Sequence, residues 1–128
     1  MLLAVCEEFD IEFDSSTIPG IAFGFAGGIG NSGAVCGAVV GAVMAISLKL
    51  GKGDTMEEAI AKLDVPQEFR RRFEAEMGAY TCRELTGADL TTAESRMKYM
   101  DSDIPQTVCF PAVAAAYRIV SDMLREQG

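Results

Sequence analysis

The sequence predicts an all-α fold, a compact helical bundle around a glycine- and alanine-rich central helix. Three observations carry this expectation. Nothing between residues 54 and 128 alternates apolar and polar side chains as a half-buried strand must. The last segment places Ala112, Ala115, Ala116, Ile119, Val120, Met123 and Leu124 at helical spacing. Glycines that end helices, and prolines and threonines that start them, recur between the apolar runs.

Residues 1–13 read as the end of an amphipathic helix, with Leu2, Leu3, Cys6, Phe9 and Phe13 along one side. Asp14-Ser15-Ser16-Thr17 is a breaker cluster rich in N-cap residues, followed by Pro19-Gly20. A short apolar stretch, Ile21 to Ala26, runs into the glycine-rich loop 27–33. The central helix is expected from about Gly33 to Leu50, capped by Asn31 or Ser32 and ended by Gly51-Lys52-Gly53. Asp54 or Thr55 caps a polar helix, and Pro66 sits at the first turn of a charged one, Gln67 to Met77, closed by Gly78. Thr81 to Leu85 forms a short helical turn closed by Gly87. Thr91 or Thr92 starts a helix through Met100, and Pro105 and Pro111 flank the start of the last.

The length of 128 residues suits one domain spanning 1–128. A hydrophobic fraction of 49% against 23% charged is globular in character. Nineteen acidic against 11 basic side chains leave a net charge of −8, which disfavours nucleic acid and anionic lipid as partners. Histidine is absent. That excludes a His-based triad, a His-ligated metal and the usual proton shuttle at neutral pH. Met1 to Asp10 has no basic residue and no cleavage signal, so the expectation is a cytoplasmic location, where thiols stay reduced. A small bundle this rich in glycine and alanine makes a homo-oligomer a candidate.

Two motifs tempt and fail on physical grounds. Gly28-x-Gly30-x-x-Gly33 matches the dinucleotide fingerprint, with Asp54 downstream, but that motif needs strands on either side. Residues 33–48 are apolar throughout, yet fall short of the roughly 20 residues a membrane span needs, so no membrane insertion is expected. Gly33, Gly37 and Gly41 recur every four positions and would line one helix face. There another helix, or a bound group, could approach the backbone closely.

The chemistry points to cysteine. Cys6, Cys36, Cys82 and Cys109 are too scattered for a disulfide scaffold, and no CxxC pair is present for a zinc ribbon. Cys36, Cys82 and Cys109 each fall near an expected helix start, where amide groups and positive potential favour thiolate over thiol. Arg83 places a cation beside Cys82.

The C-G-A-x-x-G run of Cys36 to Gly41, the preceding Phe25-Ala-Gly-Gly-Ile-Gly30, the segment Cys82 to Gly87 and the late Cys109 together resemble the C_GCAxxG_C_C family of redox-active proteins. The resemblance implies four characteristic cysteines with a role in electron transfer or thiol redox chemistry, and Cys36, Cys82 and Cys109 match three of them. The first family cysteine stands ahead of an acidic E-E-F stretch, here Glu7-Glu8-Phe9, which puts its equivalent upstream of Met1. Three accounts stay open: the protein works with three cysteines, Cys6 substitutes by a shift along its helix, or the chain starts later than its relatives. The abrupt Met-Leu-Leu-Ala start favours the last.

The joint expectation is that Cys36, Cys82 and Cys109 converge at one end of the bundle. There they would perform thiol/disulfide exchange or electron transfer with a redox partner, Cys36 as nucleophile and Cys82 or Cys109 as the resolving thiol. The alternative is a binding module in which the same three cysteines ligate a metal ion or an iron–sulfur cluster. Zinc would then need a fourth ligand from Cys6, an acidic group, water or another subunit.

Overall fold

The computed structural model describes residues 1–127. Eight α-helices follow in order: α1 (Leu2–Glu8), α2 (Thr17–Phe23), α3 (Gly37–Leu50), α4 (Met56–Lys62), α5 (Asp64–Met77), α6 (Cys82–Thr86), α7 (Ala93–Asp101) and α8 (Phe110–Gln127). A π-helical turn, Pro105–Cys109, runs directly into α8. Among the described residues there is no strand, only an isolated antiparallel bridge between Val35 and Thr81. The all-α expectation holds.

The apolar central helix α3 packs against α1, α5 and α8, and α8 also packs against α5. Because α3 is apolar on every side, it is covered from several directions, with Ala42, Ala45 and Ile46 fully buried. On α5, Phe69 and Phe73 stand one turn apart and face inward, both fully buried, with ring centroids 6.1 Å apart. Each such side chain contributes about 1.5–3 kcal/mol of burial. The outer face of α5 is charged: Glu68 accepts from Arg71 at 2.6 Å and from Arg72 at 2.9 Å. Both guanidinium groups hold the Glu68 carboxyl down at about 2.

Local chemistry explains most boundaries. The Thr55 hydroxyl accepts from the Glu58 amide at 3.1 Å, and Thr81 does the same for Glu84 at 3.2 Å. Thr92 and Ser95 cap α7 reciprocally, with Ser95 where a glutamate is common. Gly78 and Gly87 close α5 and α6 in left-handed conformation.

Three expected boundaries are corrected. The central helix begins at Gly37 rather than Gly33, and its N-cap is Cys36 rather than Asn31 or Ser32. The bridge at Val35 holds the preceding residues in an extended path, and Gly33 is left-handed at φ 77°. The stretch from Thr17 is helical rather than open, because Asp14 accepts hydrogen bonds from the Ser16 amide and hydroxyl and the Thr17 hydroxyl. The last helical run starts at Pro105, so Pro111 lies inside it, where a missing amide still falls near the π-to-α junction. By length and composition alone, Pro105–Gln127 is apolar enough to cross a membrane. In this fold 44% of its most apolar stretch is buried, and it packs on α3 and α5.

Candidate functional site

The site is built where the glycine loop, the N-termini of α3 and α6, the π turn and α7 meet. Residues Gly27 to Asn31 form a left-handed turn in which all five φ angles lie between 60° and 72°. Ile29, a β-branched residue, is held there at φ 60°. Long-range amide bonds fasten the turn: Gly33 donates to the Gly27 carbonyl at 3.1 Å and Ala34 to that of Gly28 at 3.0 Å. The Ser32 hydroxyl donates to the carbonyl of Gly28 at 2.7 Å. Position 28 has no room for a side chain, since a Cβ would lie 2.5 Å from Ala34 backbone atoms and 2.8 Å from the Cys82 Cβ.

The chain then pairs with the segment before α6. The Cys36 amide donates to the Tyr80 carbonyl at 2.9 Å, and the Cys82 amide to that of Ala34 at 2.7 Å. Cys36 and Cys82 therefore stand on the same face of the bridge and diagonal across it.

Cys109 reaches the same place from the other end of the sequence. It closes the π-helical turn, which packs against α6. Its Sγ shares a hydrogen bond of 2.9 Å with the Tyr99 hydroxyl on α7. Cys36, Cys82, Cys109 and Tyr99 together line one cavity of about 350 Å³, with Gly28 and Thr86 also on its wall. The lining contains no lysine, arginine, aspartate or glutamate.

Burial governs the electrostatics here. It pushes the Cys36 thiol above its ordinary value, and the Ala38 and Val39 amides at the start of α3 offset this only in part. Burial likewise raises Cys82, with the nearby Cys36 and Cys109 sulfurs adding to it and the Thr86 hydroxyl opposing. The expected depression of these thiols at helix starts is thus overturned, because desolvation outweighs the amides of a helix end. Arg83 does not help: it lies over Gly33 and faces Asp89 at 3.7 Å. Cys109 is not at a helix start at all, lying five residues into a continuous helical run. Burial and the thiols around it push the Tyr99 hydroxyl strongly upward.

The glycine expectation divides. Gly37 lines the cavity, whereas Gly33 lies outside the helix against Arg83. Gly41 admits α1, because a Cβ there would stand 3.2 Å from the Met1 Cγ. Cys6 is fully buried in the core and does not line the cavity. The metal expectation fares no better. Among the described residues no three Cys, Asp or Glu side chains are grouped closely enough to hold one ion, and the cavity wall offers no carboxylate to complete a set. Cys36, Cys82 and Cys109 therefore do not fit a metal ion or an iron–sulfur cluster as ligands.

Sequence reasoning missed Tyr99, since a lone tyrosine on a polar helix carries no signal of what it will face. It also passed over Gly28 as a packing position, although the density of glycine there was visible. A larger groove of about 600 Å³, walled by Ile18, Val39, Val43 and Met44, contains no cysteine.

No curated protein and no solved structure matches the chain. The family described as "Putative redox-active protein (C_GCAxxG_C_C)" matches residues 1–123, the span that holds all three cavity thiols, and the chain belongs to that family.

Proposed function

We propose that this protein performs thiol/disulfide exchange in the cavity formed by Cys36, Cys82 and Cys109. The observation that carries the reading is the meeting of three thiols, separated by dozens of residues in sequence, on one uncharged wall. Two of these thiols in reduced form give up two electrons and two protons as they join in a disulfide. A partner disulfide accepts both and becomes a dithiol. Because the three thiols line one cavity, the second step is an intramolecular one.

The test is a redox map. Reduced protein is treated with diamide, its free thiols are alkylated, and the digest is read by mass spectrometry. A disulfide among Cys36, Cys82 and Cys109 is expected, with Cys6 always alkylated after denaturation. Three free thiols at those positions after oxidation would remove the reading.

A further inference from the structure

We infer that Cys109, with the Tyr99 hydroxyl as its hydrogen-bond donor, is the thiol that first attacks the partner disulfide, an assignment that rests on the exchange reading above. Three observations single it out among the three. Its Sγ alone has a side-chain hydroxyl from another helix at hydrogen-bonding distance, 2.9 Å. It closes a π-helical turn, an irregularity that often marks functional positions in helices. Its half-burial, shared with Cys36, sets it apart from Cys82, which is only 9% exposed. Finally, Val113, one turn further along the same helical run and 41% exposed, gives an incoming molecule an apolar surface on the cavity wall.

The hydrogen bond has a direction once the thiol ionises. A thiolate can only accept, so the tyrosine hydroxyl must donate. The strong upward shift of Tyr99 keeps its proton in place throughout the neutral range. The titratable groups facing Cys109 across the cavity are Cys36 at the start of α3, Cys82 on α6 and Tyr99 on α7. With no cation on the wall, the Tyr99 hydroxyl is the side-chain donor within hydrogen-bonding distance of that sulfur, placed to hold negative charge on it.

The steps balance as follows. The Cys109 thiolate forms a bond to one sulfur of the partner disulfide, and the partner's S–S bond breaks. Its electron pair leaves on the second sulfur, which takes a proton from solvent. The thiolate of Cys82, on the helix packed against the π turn, then attacks the Cys109 sulfur. The mixed disulfide breaks, the partner's first sulfur departs as thiolate and is protonated, and a Cys82–Cys109 disulfide remains. Two electrons have passed to the partner, and Tyr99 ends with the proton it began with.

The test uses glutathione disulfide as the probe on the full chain. In Cys82→Ser the second step is blocked, and peptide mapping is expected to find glutathione on Cys109. Should that variant fail to fold, wild-type protein quenched rapidly in acid yields the same first adduct. Tyr99→Phe is expected to slow adduct formation about tenfold near neutral pH, the scale of one hydrogen bond to a charged group. It should also move the midpoint of the pH–rate profile upward while leaving the far-ultraviolet circular dichroism unchanged. A first adduct on Cys36, or a Tyr99→Phe variant with wild-type rate and profile, overturns the assignment. If diamide still produces a disulfide among the three cysteines, exchange survives that result; if it produces none, both readings fall together.

Discussion

Gly28 shows how one missing side chain builds a site. Its φ of 72° lies in the region that other residues adopt only at a cost, and the space a Cβ would need is already taken by Ala34 and Cys82. Gly28→Ala should therefore lower the stability of the protein by about 1–3 kcal/mol, read as a lower urea midpoint. Because the intruding methyl presses on Cys82, native-state alkylation of that cysteine should accelerate at the same time. An unchanged midpoint would mean that the turn is more pliant than its hydrogen bonds indicate. Ile29 and Asn31 are held in the same left-handed region without glycine's freedom. The turn is thus over-determined by its fastenings rather than by residue preference alone.

At the scale of elements, α8 carries the main burial and one anomaly. Its inward stripe includes Ala116, Val120, Met123 and Leu124, and among them lies Ser121, 2% exposed, with a hydroxyl that has no hydrogen-bond partner among the described residues. An unpaired buried hydroxyl costs about 1–3 kcal/mol. Ser121→Ala removes it at almost no change in volume, so the variant should be more stable by about 1 kcal/mol in urea denaturation. A less stable variant would show that the hydroxyl has found a partner. The ends of the helices follow local rules closely: Thr55, Thr81 and Thr92 all cap where a threonine before an acidic or polar turn should. Among the helices without a side-chain cap, α2 is nucleated by the Asp14 carboxylate, and the start of α3 is delayed by the bridge at Val35.

For the molecule as a whole, stability is set by the core shared among α1, α3, α5 and α8 rather than by charge. The ion pairs joining helices, Arg72–Glu126, Arg118–Glu76 and Arg125–Glu8, are at least partly exposed and contribute little each. The buried thiols matter more for pH. Burial holds Cys6, Cys36 and Cys82 above the ordinary 9.0 in the folded state. The unfolded chain then releases these protons first, and stability falls wherever the unfolded state binds fewer protons. The stabilisation is complete below the unfolded thiol value and is lost as pH rises through the folded ones. Urea midpoints should hold steady from about pH 6 to 8 and decline at higher pH. A midpoint that rises on the alkaline side would contradict the burial of these sulfurs. Tyr99 shifts in the same direction and adds to the decline.

The residues alone determined the helical class and most helix ends and singled out three cysteines, because periodicity, caps and motif spacing are local properties of a chain. The family resemblance was equally legible, in the run from Cys36 to Gly41 and the segment from Cys82 to Gly87. Only the tertiary structure decided what surrounds those sulfurs. It buried them so that desolvation outweighs helix ends, turned Arg83 away, left Cys6 in the core and brought Tyr99 to Cys109. Solvation and contact between distant segments depend on how elements pack, and no spacing along the chain encodes them directly.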